Sequence, residues 1–393
     1  MNDTTRQFRD FFVSLRLTVV LLILSLVLVF AATLDQVNLG IWAVQEKYFR
    51  SFFVLWRVGD IPVPVFPGGY LVGGLLLINL IAAHVYRFKF TWRKSGIFLT
   101  HLGLILLLVG ELLTGLWQED YTMRLAEGET KSYSESFREN ELVLIETTDP
   151  KIDDVVAIPE SLVAAGREIQ HPKLPFRVVP RTYYPNAVLH VRGPAGGSSP
   201  SPATLGVGPR VIATPVPVTY KQDEVNSPAA FIEFIGANGS LGTFLVSTQL
   251  PTSQTFELGG RTWRLGLRSK RAYKPFALTL KEVRHDVYLG TDIPKNFSSR
   301  IQLTTPDGQE NREVLIYMNN PLRFGGLTFY QYQMDSANAT SVLQVVRNPS
   351  WLIPYIACTM MAVGLVAQFL LHLTGFITRR RERRVSVTPG ATA

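Results

Sequence analysis

The chain has 393 residues, 47% of them hydrophobic, with a formal net charge of +8 and a single cysteine. Its apolar residues are gathered into a few long blocks, which excludes a wholly water-soluble protein; one cysteine excludes an internal disulfide, a Cys-x-x-Cys motif and a cysteine-rich metal site. The positive charge clusters in short segments beside those blocks, where membrane orientation accounts for it, so it is not read as nucleic-acid binding.

A bilayer span needs about 20 predominantly apolar residues. The first candidate runs from about Phe11 to Thr33. It is longer than the apolar core of a signal peptide and is followed by Thr33-Leu34-Asp35-Gln36, with no small-residue cleavage pattern, so it is expected to stay in the protein. The second runs from Gly69 to Phe88 and the third from Gly96 to Trp117, which makes residues 1–117 a region of three transmembrane helices. A polar segment, residues 118–349, follows and is long enough for a domain with its own core. Residues 350–393 hold the fourth span, Trp351 to Phe376, and a basic tail. Lys and Arg mark the cytoplasmic side. They cluster at Arg6, Arg9 and Arg16, at Arg87, Lys89, Arg93 and Lys94, and at Arg379, Arg380, Arg381, Arg383 and Arg384. With four spans all three clusters share one side, so both termini are expected in the cytoplasm and the large domain outside it.

The outward domain reads as mainly β. Period-two alternation with β-branched and aromatic residues recurs at 276–283, 300–303, 313–317, 327–332 and 341–346. Turn signals fall between such runs at Asn238-Gly239 and Pro306-Asp307-Gly308. A Gly/Ser/Pro-rich stretch near 192–210 is expected to be a surface loop. The fold class is therefore an α+β membrane protein, four transmembrane helices with a large, mainly β extracytoplasmic domain between the third and fourth. Zinc, nucleophile-elbow and phosphate-loop motifs are missing from the sequence, and His171, His190 and His285 are scattered. Asp286 adjoins His285, which on a strand puts the two side chains on opposite faces. No catalytic residue is assigned.

His101 is an ionisable side chain inside the third apolar block, and such a residue is by default a functional candidate. A neutral imidazole bonded to a backbone carbonyl of a neighbouring helix is the alternative reading. Glu111, about 15 Å further along the same helix, is either a carboxyl near water or a polar contact to a partner's helices. Cys358, in the fourth span, reads as a small apolar filler buried among lipid-facing residues.

Four separated motifs go beyond periodicity. They are Phe12-Val13-Ser14-Leu15-Arg16-Leu17-Thr18, the Gly96 to Gly110 block, Tyr288-Leu289-Gly290-Thr291-Asp292-Ile293-Pro294-Lys295-Asn296-Phe297-Ser298-Ser299, and Met318-Asn319-Asn320-Pro321-Leu322-Arg323-Phe324-Gly325-Gly326-Leu327-Thr328-Phe329-Tyr330-Gln331 with Val345-Val346-Arg347-Asn348-Pro349 after it. In this order they resemble the ResB (CcsB) family of system II cytochrome c biogenesis. The resemblance implies half of a membrane complex that brings haem b across the bacterial cytoplasmic membrane and delivers it to apocytochrome c, with thiol-reducing proteins as further partners. It implies a CcsA/ResC-type protein as the other half, carrying a Trp-rich haem motif; the six Trp of this chain include no adjacent pair.

By the same resemblance His101 corresponds to an axial ligand of haem iron, a role that suits a neutral imidazole. At 1.5 Å per residue from Gly96 it lies less than about 10 Å inside the cytoplasmic boundary. His84 is a second candidate cofactor-binding residue, although an interfacial imidazole beside an aromatic and basic belt is its plainer reading. His372, beside the polybasic tail, has that plainer reading more strongly. Arg87, Lys89, Arg93 and Lys94 are candidates for the haem propionates, while orientation alone already explains them. The alternative function is a cofactor-free, membrane-anchored scaffold or binding protein of the envelope; a transporter is disfavoured because four spans leave few helices for a substrate path.

Overall fold

The computed structural model describes all residues except 1–2, 60, 150, 194–200, 220–224, 251–253, 292–293, 336–338 and 387–393. Residues 194–200 of the loop expected near 192–210, and Asp292-Ile293 of one motif, lie outside the described residues; the rest of that stretch is not a free surface loop, since Ala203 is buried in a cluster with Ala187, Ala229, Phe231 and Leu245 and Gly208 is buried too. Two compact units emerge: a helical one, Met1–Gln118 with Asn348–Ala393, and a β one, Glu119–Thr219 with Asp223–Arg347.

The helical unit contains α1 (Asp3–Phe12), α2 (Leu15–Val44), a hairpin of β1 (Phe53–Val58) and β2 (Ile61–Pro67), α3 (Gly69–Tyr86), α4 (Ser95–Trp117) and α5 (Ile353–Ser386). Four of its helices are long and apolar enough to cross a membrane, and the chain is a multi-pass membrane protein. The first span begins later than hydropathy suggests. Ser14 stops α1 and caps α2, its Oγ accepting the Arg16 N–H at 3.2 Å. Asn79 of α3, 2% exposed, fixes this break: its Nδ2 donates to Phe12 O at 2.6 Å and Ser14 O at 3.2 Å, and its Oδ1 accepts from Thr18 Oγ1 at 2.6 Å. Every strong polar atom of Asn79 is thus satisfied, as a group buried away from water requires.

Helices α4 and α5 pack through small residues. Gly96, Gly103 and Gly110 recur every seven residues on one buried stripe of α4. A Cβ at Gly96 would stand 2.5 Å from Gly364 O, one at Gly103 2.8 Å from Ala357 O, and one at Gly110 2.5 Å from Ile353 Cγ2. Close backbone approach of this kind is what drives association of helices in lipid, where the hydrophobic effect is weak. Gln368 of α5 reinforces it, accepting the Ile97 N–H at 3.2 Å and donating to Arg93 O at 3.3 Å. Cys358 is exposed, not buried as a filler. It lies next to Ala357, about 100° around α5 from the stripe that meets α4.

The β unit contains β3 (Glu119–Ala126), β4 (Thr130–Glu146), β5 (Asp154–Pro159), β6 (Arg177–Tyr184), β7 (Ala187–Val191), β8 (Val211–Pro215), β9 (Ala229–Gly236), β10 (Gly239–Ser247) and β11 (Gln254–Leu258). After them come β12 (Arg261–Val287), β13 (Pro294–Thr304), β14 (Asn311–Tyr317), β15 (Leu322–Phe324), β16 (Leu327–Asp335) and β17 (Thr340–Arg347). A ten-stranded sheet runs β14-β13-β12-β4-β3-β17-β16-β15, with β11 on β12 and β5 on β4; β10-β9-β6 forms a three-stranded sheet and β7-β8 a pair. Every pairing is antiparallel.

The 27-residue β12 serves two cores. Its first half sends Trp263, Leu265 and Leu267 into a cluster with Phe176, Ile232, Phe234 and Phe244 of the three-stranded sheet and its neighbours. Its second half sends Phe276, Leu278 and Leu280 into another cluster, with Met123, Ile301, Ile316, Phe329 and Val345. Inward positions change from odd to even between the halves, which a period-two strand achieves only through irregularities; two occur here, after Ser269 and after Tyr273. The Pro321 to Gly326 motif makes β15 and a tight turn: Gly325 and Gly326 both take positive φ, 58° and 74°, and return the chain into β16, where Phe329 is buried opposite Leu322.

Candidate functional site

The glycine stripe of α4 decides where His101 points. Gly103 faces α5, and His101, two residues earlier, lies about 200° around the helix, on the far side. That side meets α3. There the His101 and His84 rings come edge to face, with centroids 4.8 Å apart and planes at 81°. The basic loop 87–94 joins two antiparallel helices, so a residue shortly before it and one shortly after it fall at similar depth.

Aromatic rings line His84. Phe88, one turn beyond His84, stacks on it at 5.2 Å; Phe98, one turn before His101, lies 6.3 Å from His84, 5.8 Å from Phe88 and 5.6 Å from Phe90. His84 Nδ1 lies 2.9 Å from Leu80 O. A carbonyl oxygen only accepts, so Nδ1 carries the proton and donates, and Nε2 of the neutral ring keeps the lone pair. A backbone carbonyl fixing one ring nitrogen while the other stays open is the arrangement that orients metal-binding imidazoles. His84 Nε2 and His101 Nδ1 are both buried and have no hydrogen-bond partner among the described residues. Leaving a buried acceptor or donor open costs about 1–3 kcal/mol.

These atoms suit a metal-centred group that takes imidazole nitrogen, with a limit. Two rings on opposite faces of one porphyrin would have centroids about 6 Å apart at a metal–nitrogen distance of about 2 Å. At 4.8 Å, edge to face, the two rings stand too close for one metal ion to lie between them. Among the described residues no group of three or more His, Cys, Asp or Glu side chains could hold a metal ion.

Other candidates stand apart. Glu111 and His372 are exposed on α4 and α5, and among the described residues no ring contact joins His372 to the pair. His285 stacks on Phe297 across the β12–β13 pairing, at 4.7 Å, and His190 is exposed on β7. Arg87, Lys89, Arg93 and Lys94 are exposed at the loop beside the pair, with no ion-pair partner among the described residues. The meeting of His84 with His101 was not legible as a contact, since position along an apolar block sets the depth of each residue but not its helix face.

Comparison with known proteins places the chain in context. Residues 234–342 match the ResB-like family, a stretch that runs from β9 into β17. The chain is 25% identical over 299 residues to protein NrfI of Wolinella succinogenes, which is 76% of this chain and 29% of that protein. It is 29% identical over 116 residues to cytochrome c biogenesis protein CcsB of Synechococcus elongatus and 28% identical over 116 residues to CcsB of Crocosphaera subtropica, in each case 30% of this chain and 25% of the relative. The chain thus spans less than a third of the length of these curated relatives.

Proposed function

We propose, from the match of residues 234–342 to the ResB-like family and the likeness to NrfI and CcsB, that the chain is a membrane subunit of a system II cytochrome c synthase complex, helping to carry haem across the membrane to Cys-x-x-Cys-His apocytochromes. Its partner in this reading is a CcsA/ResC-type protein, which supplies the Trp-rich haem surface that this chain's six scattered Trp do not make. In this reading the complex sits in the bacterial cytoplasmic membrane, termini inside and β unit outside, an orientation that the distribution of Lys and Arg supports.

His101 is the proposed axial ligand of haem b iron, with His84 beside it. The single observation that carries this reading is the pair's two buried nitrogens without a hydrogen-bond partner among the described residues, with Phe88 and Phe98 against His84. Haem supplies an iron that binds neutral imidazole and two propionates that attract cations. On the protein side, Leu80 O holds His84 in one tautomer, Phe88 and Phe98 pack against its ring, and Arg87, Lys89, Arg93 and Lys94 offer positive charge at the loop. The two rings of this chain stand too close for one iron to lie between them, so in this reading a second protein ligand would have to be supplied by the partner.

The test is co-expression with a CcsA-type partner and a Cys-x-x-Cys-His reporter, reading covalent haem on the reporter. His101→Ala is expected to abolish maturation while both subunits still reach the membrane. Unchanged maturation in both His101→Ala and the double variant with His84→Ala would contradict the assignment and favour the cofactor-free scaffold.

A further inference from the structure

The hairpin between the first two spans is apolar where nothing covers it. Its base is pressed against the start of α3: Gly68 N–H donates to Phe52 O at 2.8 Å, Tyr70 N–H to Ser51 O at 3.2 Å, and a Cβ at Gly69 would stand 2.5 Å from Phe49 O. Val54 and Phe66 pack onto α2 beside Leu28, Ala32 and Tyr48. Beyond them the side chains are open, with Trp56 62% and Ile61 68% exposed, and Leu55, Val63 and Val65 exposed too. The uncovered residues fall on both faces. Trp56 pairs with Val63 and Leu55 with Pro64, and adjacent positions of a strand alternate sides.

We propose that this hairpin is an interfacial insert, lying in the phospholipid headgroup layer at the end of α2 and α3 remote from the basic loop. The hairpin is continuous with a surface that already faces lipid at one end, since β2 stops at Pro67 and the second span starts at Gly69; at the other end Phe53 follows the break in α2 at Gly40, where φ is 76°, and the helical turn Gln45–Phe49. Strands of six and seven residues reach at most about 20 Å from those ends, so the hairpin cannot leave the neighbourhood of the bilayer. A two-stranded hairpin is marginal in water and needs cover. A docked protein would cover one face; the headgroup layer surrounds both. Trp at this level is the residue type enriched at membrane interfaces.

The backbone fits the same place. Proline is tolerated in a strand where its missing N–H faces outward, so Pro62 and Pro64 strip two donors from the free edge of β2. Fewer open donors suit a half-dry layer, and they also block the edge from pairing with another chain. The charges at the base are already spent: Asp35 accepts Lys47 Nζ at 2.6 Å and Tyr48 OH at 2.7 Å. The hairpin's own charged residues, Arg57 and Asp60, fall at its turn end, away from this base cluster in the sequence.

The full-length chain carrying Cys358→Ser, with one new cysteine in place of Ile61 or Trp56, tests the proposal after labelling with an environment-sensitive fluorophore and reconstitution in phosphatidylcholine vesicles. Leu289→Cys, fully exposed at 103% in the β unit, is the aqueous reference. Labels at 61 and 56 are expected to emit further to the blue than the label at 289, and to be quenched several-fold more by a headgroup-proximal lipid quencher than by iodide. A label at 61 that iodide reaches as readily as the one at 289, with no lipid quenching, overturns the proposal and leaves the hairpin to a protein partner. Ile61 is exposed, so its replacement does not put folding at risk, and the reading at 61 stands even where Trp56→Cys misfolds.

Discussion

Two polar sites lie among the apolar helices, and they are built in opposite ways. At Asn79 the amide bonds Phe12 O, Ser14 O and Thr18, and the result is a fixed joint between α1 and α2. At His84 and His101 two ring nitrogens are buried and open, and no protein group is placed to fill them. Evolution of a stable membrane fold tolerates the first kind freely, because every buried polar atom is paired. The second kind costs stability and persists where something outside the chain completes it.

The comparison can be broken at either site. The largest effect is expected at the open one: His101→Ala in the complex co-purified with a CcsA-type partner should lower haem content about tenfold or more, on the scale of a lost ligand or its support. Its thermal midpoint without haem should hold or rise, because the variant removes an unsatisfied buried group. Gly103→Leu should cost about 3 kcal/mol by overpacking α4 against Ala357 O and Met361, read as a lower midpoint in detergent. Asn79→Leu should cost about 2 kcal/mol by leaving Phe12 O and Ser14 O open, with haem content per folded complex unchanged. A haem loss in Asn79→Leu equal to that in His101→Ala would erase the distinction.

The smallest effect is a pH dependence in the β unit. Lys274 donates to Ser134 Oγ at 2.7 Å and to Ala272 O at 3.3 Å without a carboxylate partner, and burial pushes its ammonium down to about 8. The unfolded chain holds that proton up to about pH 10.4. Below pH 8 both states are charged and the fold bears the full cost; between those values only the unfolded state binds the proton, so stability rises with pH. Lys274→Met should therefore raise the midpoint at pH 7, and the gap to the parent should close as pH approaches 10. A gap that stays constant from pH 7 to 10 would exclude this titration.

The sequence carried the spans and the strands through simple physics. Blocks of about 20 apolar residues can only be buried in lipid, and period two at 276–283 or 341–346 fits only a half-buried strand. Three features escaped it. The break at Ser14 depends on Asn79, a residue of another helix, and hydropathy does not register it. Hairpin β1–β2 escaped because Pro62 and Pro64 argue against a strand unless it is an edge. The histidine contact needed the face of α4, which the seven-residue recurrence of Gly96, Gly103 and Gly110 supplies once those glycines are assigned to α5. Cys358 was misplaced for the same reason, one position off the packed stripe.

The central claim is that the open nitrogen of His101 is a ligand position. The visible spectrum of the co-purified complex carrying His101→Gly, recorded before and after adding imidazole, tests it most directly. The account predicts weakened haem bands in the variant and their recovery with imidazole, because a free ring can occupy the space the side chain left. Unaltered bands in His101→Gly, with no response to imidazole, would contradict it.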